Sequence, residues 1–160
     1  MATASNKTLG GSTDGVSYNQ NAPKNCFSVT VDIAKAIGSG TGQLSSFASG
    51  DSIAVAGIAH PSRVILRDAV NVTALTVGTT PAINIGLATD TDALVQSSAA
   101  VAAGSLHTAV SGANDVGVRT TADTNLVVQL SNGTGAITEG QINLVYEVID
   151  LSPLSVGGSF

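Results

Sequence analysis

Tryptophan is absent from this 160-residue chain, and its aromatic residues are only two tyrosines and three phenylalanines. So few rings argue against a large aromatic-lined ligand site. The single cysteine, Cys26, excludes a disulfide within the chain and gives no indication of an oxidising compartment. No segment approaches the roughly 18 consecutive apolar residues that a membrane helix needs, so we expect no membrane partner.

Positive charge is also scarce. Six Lys and Arg residues stand against 11 Asp and Glu residues, which gives a formal net charge of -5, and the basic residues are scattered along the sequence. A groove that neutralises many phosphates needs clustered basic residues. We therefore expect no nucleic-acid partner.

Aliphatic residues are abundant, with 40 Ile, Leu and Val, enough for the core of one domain. Segment 141–151, QINLVYEVIDL, shows how they are arranged, because successive side chains of a strand point to opposite faces. The even positions form one apolar face: Ile142, Leu144, Tyr146 and Val148. The odd positions are only partly polar, so this second face also needs a cover, from a neighbouring subunit or from a crossing strand of the same chain. We predict that Val145, Ile149 and Leu151 lie at a subunit interface.

Further strands are predicted by the same alternation, in CFSVTVDI (26–33), GDSIAVAGI (50–58), AINIGLA (82–88) and NLVVQL (125–130). In RVILRDAVNV (63–72) Asp68 interrupts the apolar face formed by Val64, Leu66, Val70 and Val72, which predicts a bend, bulge or strand end. Asn132-Gly133 favours a turn that would let NLVVQL pair with QINLVYEVIDL. The alanine-rich segment 96–105 is compatible with a short helix or a loop.

Many short strands, glycine-rich turns and almost no helix predict an all-β fold, namely a single antiparallel jelly-roll-like sandwich of about eight strands. Residues 1–25 are rich in Ser, Thr, Asn and Gly and have no apolar periodicity. We expect them to form an extended N-terminal arm before a sandwich domain at 26–152, with 153–160 as a C-terminal tail.

Motifs that carry chemistry are missing. There is no Gly-Lys pair for a phosphate-binding loop and no Gly-x-Ser-x-Gly elbow. His60 and His107 have no neighbouring metal-ligand pattern and are expected to have surface or capping roles. Asp90 and Asp92 could offer oxygen ligands to a cation or could simply cap a turn. We expect no enzyme activity, no metal site and no cofactor.

From about residue 50 to 150 the order of features resembles the small β-sandwich cement, or head decoration, proteins of tailed bacteriophages. The resemblance rests on the hydrophobic spacing and on the Gly and Asp residues between strands, in these segments: Gly50-Asp51-Ser52-Ile53, His60-Pro61-Ser62-Arg63-Val64, Val70-Asn71-Val72-Thr73, Ile83-Asn84-Ile85-Gly86, Thr89-Asp90-Thr91-Asp92-Ala93-Leu94, Ala122-Asp123-Thr124-Asn125-Leu126 and Glu139-Gly140-Gln141-Ile142 to Asp150. It covers about two thirds of the chain, and residues 1–49 do not take part.

The resemblance implies a structural virion protein, typically a homotrimer, that binds the outer surface of the capsid and reinforces contacts of the major capsid protein. It places the protein on the outer capsid surface of a virion assembled in the host cytoplasm. An arm such as residues 1–25 could pair with a neighbour or could be a plain tail. Alternatives are another phage structural role, such as a head fibre or tail protein, or a carbohydrate-binding adhesin module.

Overall fold

The computed structural model describes residues 3–4, 16–19, 25–73, 75, 81–99, 104–106, 117–132 and 136–152. These residues form a β-sandwich with one short helix, as the sequence predicts. The strands are β1 (Thr3–Ala4), β2 (Val16–Asn19), β3 (Cys26–Asp32), β4 (Ser52–Ile58), β5 (Ser62–Thr73), β6 (Ala82–Leu87), β7 (Asp90–Ala99), β8 (Gly104–Ser105), β9 (Val118–Arg119), β10 (Thr124–Asn132) and β11 (Gln141–Asp150). The helix is α1 (Ile33–Ala36).

Two sheets make up the sandwich. Sheet A has the order β1-β4-β10-β6-β7, and sheet B has the order β2-β3-β11-β5-β8, with β9 also paired to β5. Every pairing among these strands is antiparallel except that of β1 with β4. An antiparallel sheet can bury one face and expose the other, which agrees with the alternation seen in the sequence.

The even face of β11 lies in the core between the sheets. Ile142 and Leu144 are fully buried and Tyr146 is nearly so. On the neighbouring strand β3, Val31 pairs with Ile142 and Val29 with Leu144, so the predicted inner faces of both strands meet. Each such side chain contributes about 1.5–3 kcal/mol when it is buried. At the end of this row Phe27 stacks on Tyr146 with 5.3 Å between ring centroids.

Strand β5 contains the irregularity that Asp68 predicts. Leu66 pairs with Tyr146 and Asp68 with Val145, so Arg67 is an extra residue, and the Asp68 carboxylate accepts a 2.8 Å hydrogen bond from the Ala69 N–H. One inserted residue reverses which side chains face the core. Val64 and Leu66 are buried as predicted, but beyond the bulge Ala69 and Asn71 are buried instead of Val70 and Val72.

Two predictions about pairing and local structure are wrong. Strand β10 pairs with β4 and β6 in sheet A, whereas β11 pairs with β3 and β5 in sheet B, so NLVVQL and QINLVYEVIDL are not partners. Residues 96–99, the start of the alanine-rich segment, continue β7 and pair with β6 at Ser98 and Ala99. Edge pairing to β6 outweighs the helix propensity of alanine there, and residues 100–103 lie outside the described residues.

The helix and the chain ends complete the fold. Asp32 caps α1 by accepting a hydrogen bond from the Lys35 N–H at 3.3 Å. Within the described residues no helix is long and apolar enough to cross a membrane. Of the predicted N-terminal arm, β1 extends the edge of sheet A and β2 extends the edge of sheet B. The predicted C-terminal tail, 153–160, lies outside the described residues.

Candidate interaction surface

The structure brings Val145 and Ile149 to the outer face of sheet B, on its central strand. Both side chains are half-buried, and they are four residues apart, which spans about 14 Å along a strand. Leu151 lies just beyond β11, and its N–H donates to the Pro61 carbonyl at 2.9 Å. Val145 and Ile149 therefore share one face with Glu147 between them, and Leu151 follows beside the corner between β4 and β5.

Residues of the neighbouring strand β5 add to the apolar surface on this outer face. Ile65 pairs with Glu147, and Val70 pairs with Asn143, so both lie on the same outer face. Ile65 is only 9% exposed, Val70 is half-buried and Val72 is 41% exposed. In the sequence Val70 and Val72 share an apolar face with Val64 and Leu66, but the one-residue bulge at Arg67 turns both of them to the outside. We name the outer-face aliphatic residues Ile65, Val70, Val145 and Ile149 the aliphatic patch.

Arginines surround the aliphatic patch. Arg67 donates from Nη2 and Nε to the same Glu147 oxygen, at 2.5 and 3.1 Å. Arg63 pairs with Ile149 on one side and with Arg119 of β9 on the other, so two guanidinium side chains start from directly opposite positions. Within the described residues no carboxylate forms an ion pair with Arg63 or Arg119. Arg63 and Arg119 therefore carry two positive charges that no ion pair of the described residues balances.

Asp90 and Asp92, the carboxylate pair singled out in the sequence, lie at the start of β7 after a tight turn from β6. A side-chain hydrogen bond with Asp92 raises the pKa of Asp90 above its ordinary value of 3.8, and burial and the Asp92 charge raise it further. The same bond, together with one donated by Gln96, lowers the pKa of Asp92. Among the described residues no group of three metal-ligand side chains forms, here or elsewhere.

His60 supports the corner where the chain passes from β4 to β5. Its backbone N–H donates to Asp123 Oδ1 at 2.8 Å, and its ring Nδ1 lies 3.0 Å from the Thr120 carbonyl oxygen. A shallow, open depression of about 490 Å³ lies beside this corner, between Gly57–Ala59 and Asp123–Asn125. Asp123, the one ionisable residue that lines this depression, accepts the bond from the His60 N–H. His107 lies outside the described residues.

Comparisons with known proteins add little to this geometry. No protein-family model matches the chain, and no curated protein matches it. Among solved structures, a chain described as "Cyanophage Pam1 capsid asymmetric unit" is similar, with 13% sequence identity and a TM-score of 0.47 over 91% of this chain and 93% of that one.

Proposed function

We propose that the chain is a structural protein of a bacteriophage virion, which assembles into a homotrimer and binds the outer surface of the capsid as a cement or decoration protein. The observation that carries the proposal is the aliphatic patch on the outer face of sheet B. An antiparallel sheet that ended in solvent would present mainly polar side chains on this face. Ile65 is already buried within the chain, but Val70, Val145 and Ile149 leave apolar surface accessible on the central strands, which is typical of a surface that another protein covers.

The sequence resemblance to decoration proteins supports the same proposal independently. It spans the strands from β4 to β11, which contribute the aliphatic patch through β5 and β11. A role in architecture also agrees with the described residues, where polar side chains such as His60, Asp123 and Thr120 are used in hydrogen bonds that hold loops and corners.

We further propose that the N-terminal arm attaches the protein to the shell, the alternative being a plain tail. Its two described pieces, β1 and β2, pair with the edges of sheet A and sheet B through main-chain contacts. Such pairing depends little on side-chain identity, so a Ser/Thr/Asn-rich segment can form it with this chain or with a neighbouring protein.

Light scattering after size exclusion tests self-association. We expect a mass near three times the 15.8 kDa chain for the unaltered protein. Val145→Glu and Ile149→Glu each place a charge in the aliphatic patch, where burial of an unpaired carboxylate is costly, and each should shift the mass towards the monomer. Ala34→Glu, on the exposed side of α1, adds the same charge elsewhere and should leave the mass unchanged.

Binding to the capsid is tested by co-sedimentation with undecorated phage heads. The unaltered chain should sediment with the heads and reach saturation. A chain that is monomeric at all concentrations and stays in the supernatant would contradict the proposal. If Val145→Glu and Ile149→Glu remained trimeric, these residues would be removed from the interface.

A further inference from the structure

All three arginines of this acidic chain lie on the outer face of sheet B. Arg63 and Arg67 project outward from β5 on either side of Ile65, since Val64 and Leu66 point into the core. Arg119 lies on β9 opposite Arg63. The chain has more acidic than basic residues, yet its arginines gather on one face.

Within the described residues, the neighbouring side chains of Arg63 and Arg119 have no carboxylate partner. Directly opposed side chains of a sheet lie about 4.5–5.5 Å apart at Cβ, and like charges at that spacing destabilise the pairing. In addition, the Arg63 Nε is buried and finds no hydrogen-bond acceptor in the part of the chain that the structure describes. A guanidinium fork is matched best by a carboxylate, which accepts two N–H groups at once. We therefore expect Arg63 and Arg119 to bind a partner that carries carboxylates.

The chain carries a complementary feature on its other sheet. Asp90 and Asp92 lie two residues apart at the start of β7, beside the turn from β6, and no Lys or Arg of the described residues forms an ion pair with either one. Other described carboxylates have local roles, such as the pairing of Glu147 with Arg67 and of Asp32 with Lys35. The hairpin is therefore a concentration of unbalanced negative charge.

We infer that the arginine-bearing outer face of sheet B binds the Asp90–Asp92 hairpin of a second copy of this chain. The inference rests on the proposed self-association and names its contacts. A closed ring of three subunits joins two different surfaces of each subunit, which the sheet B face and the sheet A hairpin provide. A twofold contact of the sheet B face with itself would instead bring arginines together. Ile65 and Ile149 beside the arginines would exclude water and strengthen the charge pairs.

Charge reversal tests the inference directly. Arg119→Glu and Asp90→Lys change exposed residues, and each creates a like-charge contact in the proposed interface. Because a like-charge contact replaces an opposite-charge contact, each single variant should weaken self-association by about tenfold or more in sedimentation velocity. The double variant restores an opposite-charge pair and should recover to within about threefold of the unaltered chain. Self-association of the unaltered chain should also weaken between low and high NaCl.

Lys35→Glu is the control for Arg119→Glu, because it makes the same change of net charge at an exposed residue of α1, away from the face. It should leave the sedimentation unchanged, and circular dichroism should show that all variants are folded. A double variant as dissociated as the single variants would overturn the inference, as would single variants that sediment like the unaltered chain. If those single variants stayed trimeric while Val145→Glu dissociated, the charge contact would be wrong and the proposed oligomer would stand. A monomeric unaltered chain would overturn both.

Discussion

Gly86 in β6 lies directly beneath an irregular part of β7. Leu87 pairs with Asp90 and Ile85 with Val95, so the four residues 91–94 of β7 lie opposite Gly86 alone. This bulged segment passes over the outer side of β6. A Cβ on Gly86 would overlap the Asp90 carbonyl oxygen and would lie 2.7 Å from the Thr91 carbonyl carbon and 2.8 Å from the Ala93 nitrogen. All three atoms belong to the backbone, so they cannot simply rotate away.

Gly86→Ala should therefore destabilise the fold, by about 1–3 kcal/mol, since the bulge must shift to admit the methyl group. Urea unfolding measures this change. Gly57→Ala in β4 is the matched control, because a Cβ there would meet only Asn125 Oδ1, at 3.9 Å. The control should change stability by no more than about 0.5 kcal/mol. Equal effects of the two variants would show that close approach at Gly86 is not the cause.

Asp90 and Asp92 predict a pH dependence whose sign can be worked out. The pKa of Asp90 is raised, so its contribution to stability is complete below the ordinary value of 3.8 and is lost as pH rises through its raised pKa. The pKa of Asp92 is lowered, so its contribution is present above 3.8 and is lost as pH falls through the lowered pKa. At pH 7 both groups are ionised, and the repulsion between them remains.

Asp90→Asn should thus be slightly more stable than the unaltered chain at pH 7, by at most about 0.5 kcal/mol because water screens both groups. The advantage should disappear below pH 3, where Asp90 itself is protonated. Asp92→Asn removes the same repulsion but weakens the 2.8 Å bond from Gln96 Nε2, so it should gain less. Thermal unfolding from pH 3 to 7 compares the two variants. A larger gain for Asp92→Asn at pH 7 would contradict the stabilising role of the bond from Gln96.

At the scale of the element, β5 shows how far alternation can be read. Apolar and polar residues alternate on both sides of Asp68, so the sequence correctly indicates a strand and an interruption. It does not say whether the interruption bends the strand, ends it or inserts a residue, and only an insertion exchanges the two faces. The one-residue bulge at Arg67 moves Val70 to the outside and buries Asn71. Half of the aliphatic patch was therefore predictable, namely Val145 and Ile149, but Val70 was not.

Strand partners were less predictable than strands. Strands β10 and β11 follow each other in sequence and are both rich in apolar residues, which favours a hairpin as the simplest expectation. In the structure each is a central strand of a different sheet, with partners distant in sequence. Alternation identifies the inner face of a strand but not the strand that pairs with it. The sandwich was therefore predictable from the sequence, whereas the strand order in each sheet was not.

At the scale of the whole molecule, the arginine face arises from pairing alone. Arg63 and Arg119 are far apart in the chain and become neighbours because β9 adds to β5. Residues scattered in sequence can thus gather on one face, and the absence of a basic run excluded a long phosphate groove but not a local electropositive surface. The fold class could be predicted from composition and alternation. The positions of the charged side chains on the surface could be predicted only if the register of every strand were known.

The N-terminal arm can be tested as a unit, because its described strands lie at sheet edges. Deletion of residues 2–20 removes β1 and β2 but leaves the pairings of β3 to β11 and the buried core, so the variant should stay folded by circular dichroism. It should bind undecorated phage heads at least about tenfold more weakly, since main-chain pairing by the arm is proposed to hold the shell.

Deletion of residues 2–10 removes β1 alone and shows whether β1 or β2 contributes more to binding the heads. Uncovered edges also favour aggregation, so the variants are compared at low concentration. Full occupancy of the heads by the larger deletion would identify residues 1–25 as a plain tail and assign attachment to the sandwich itself.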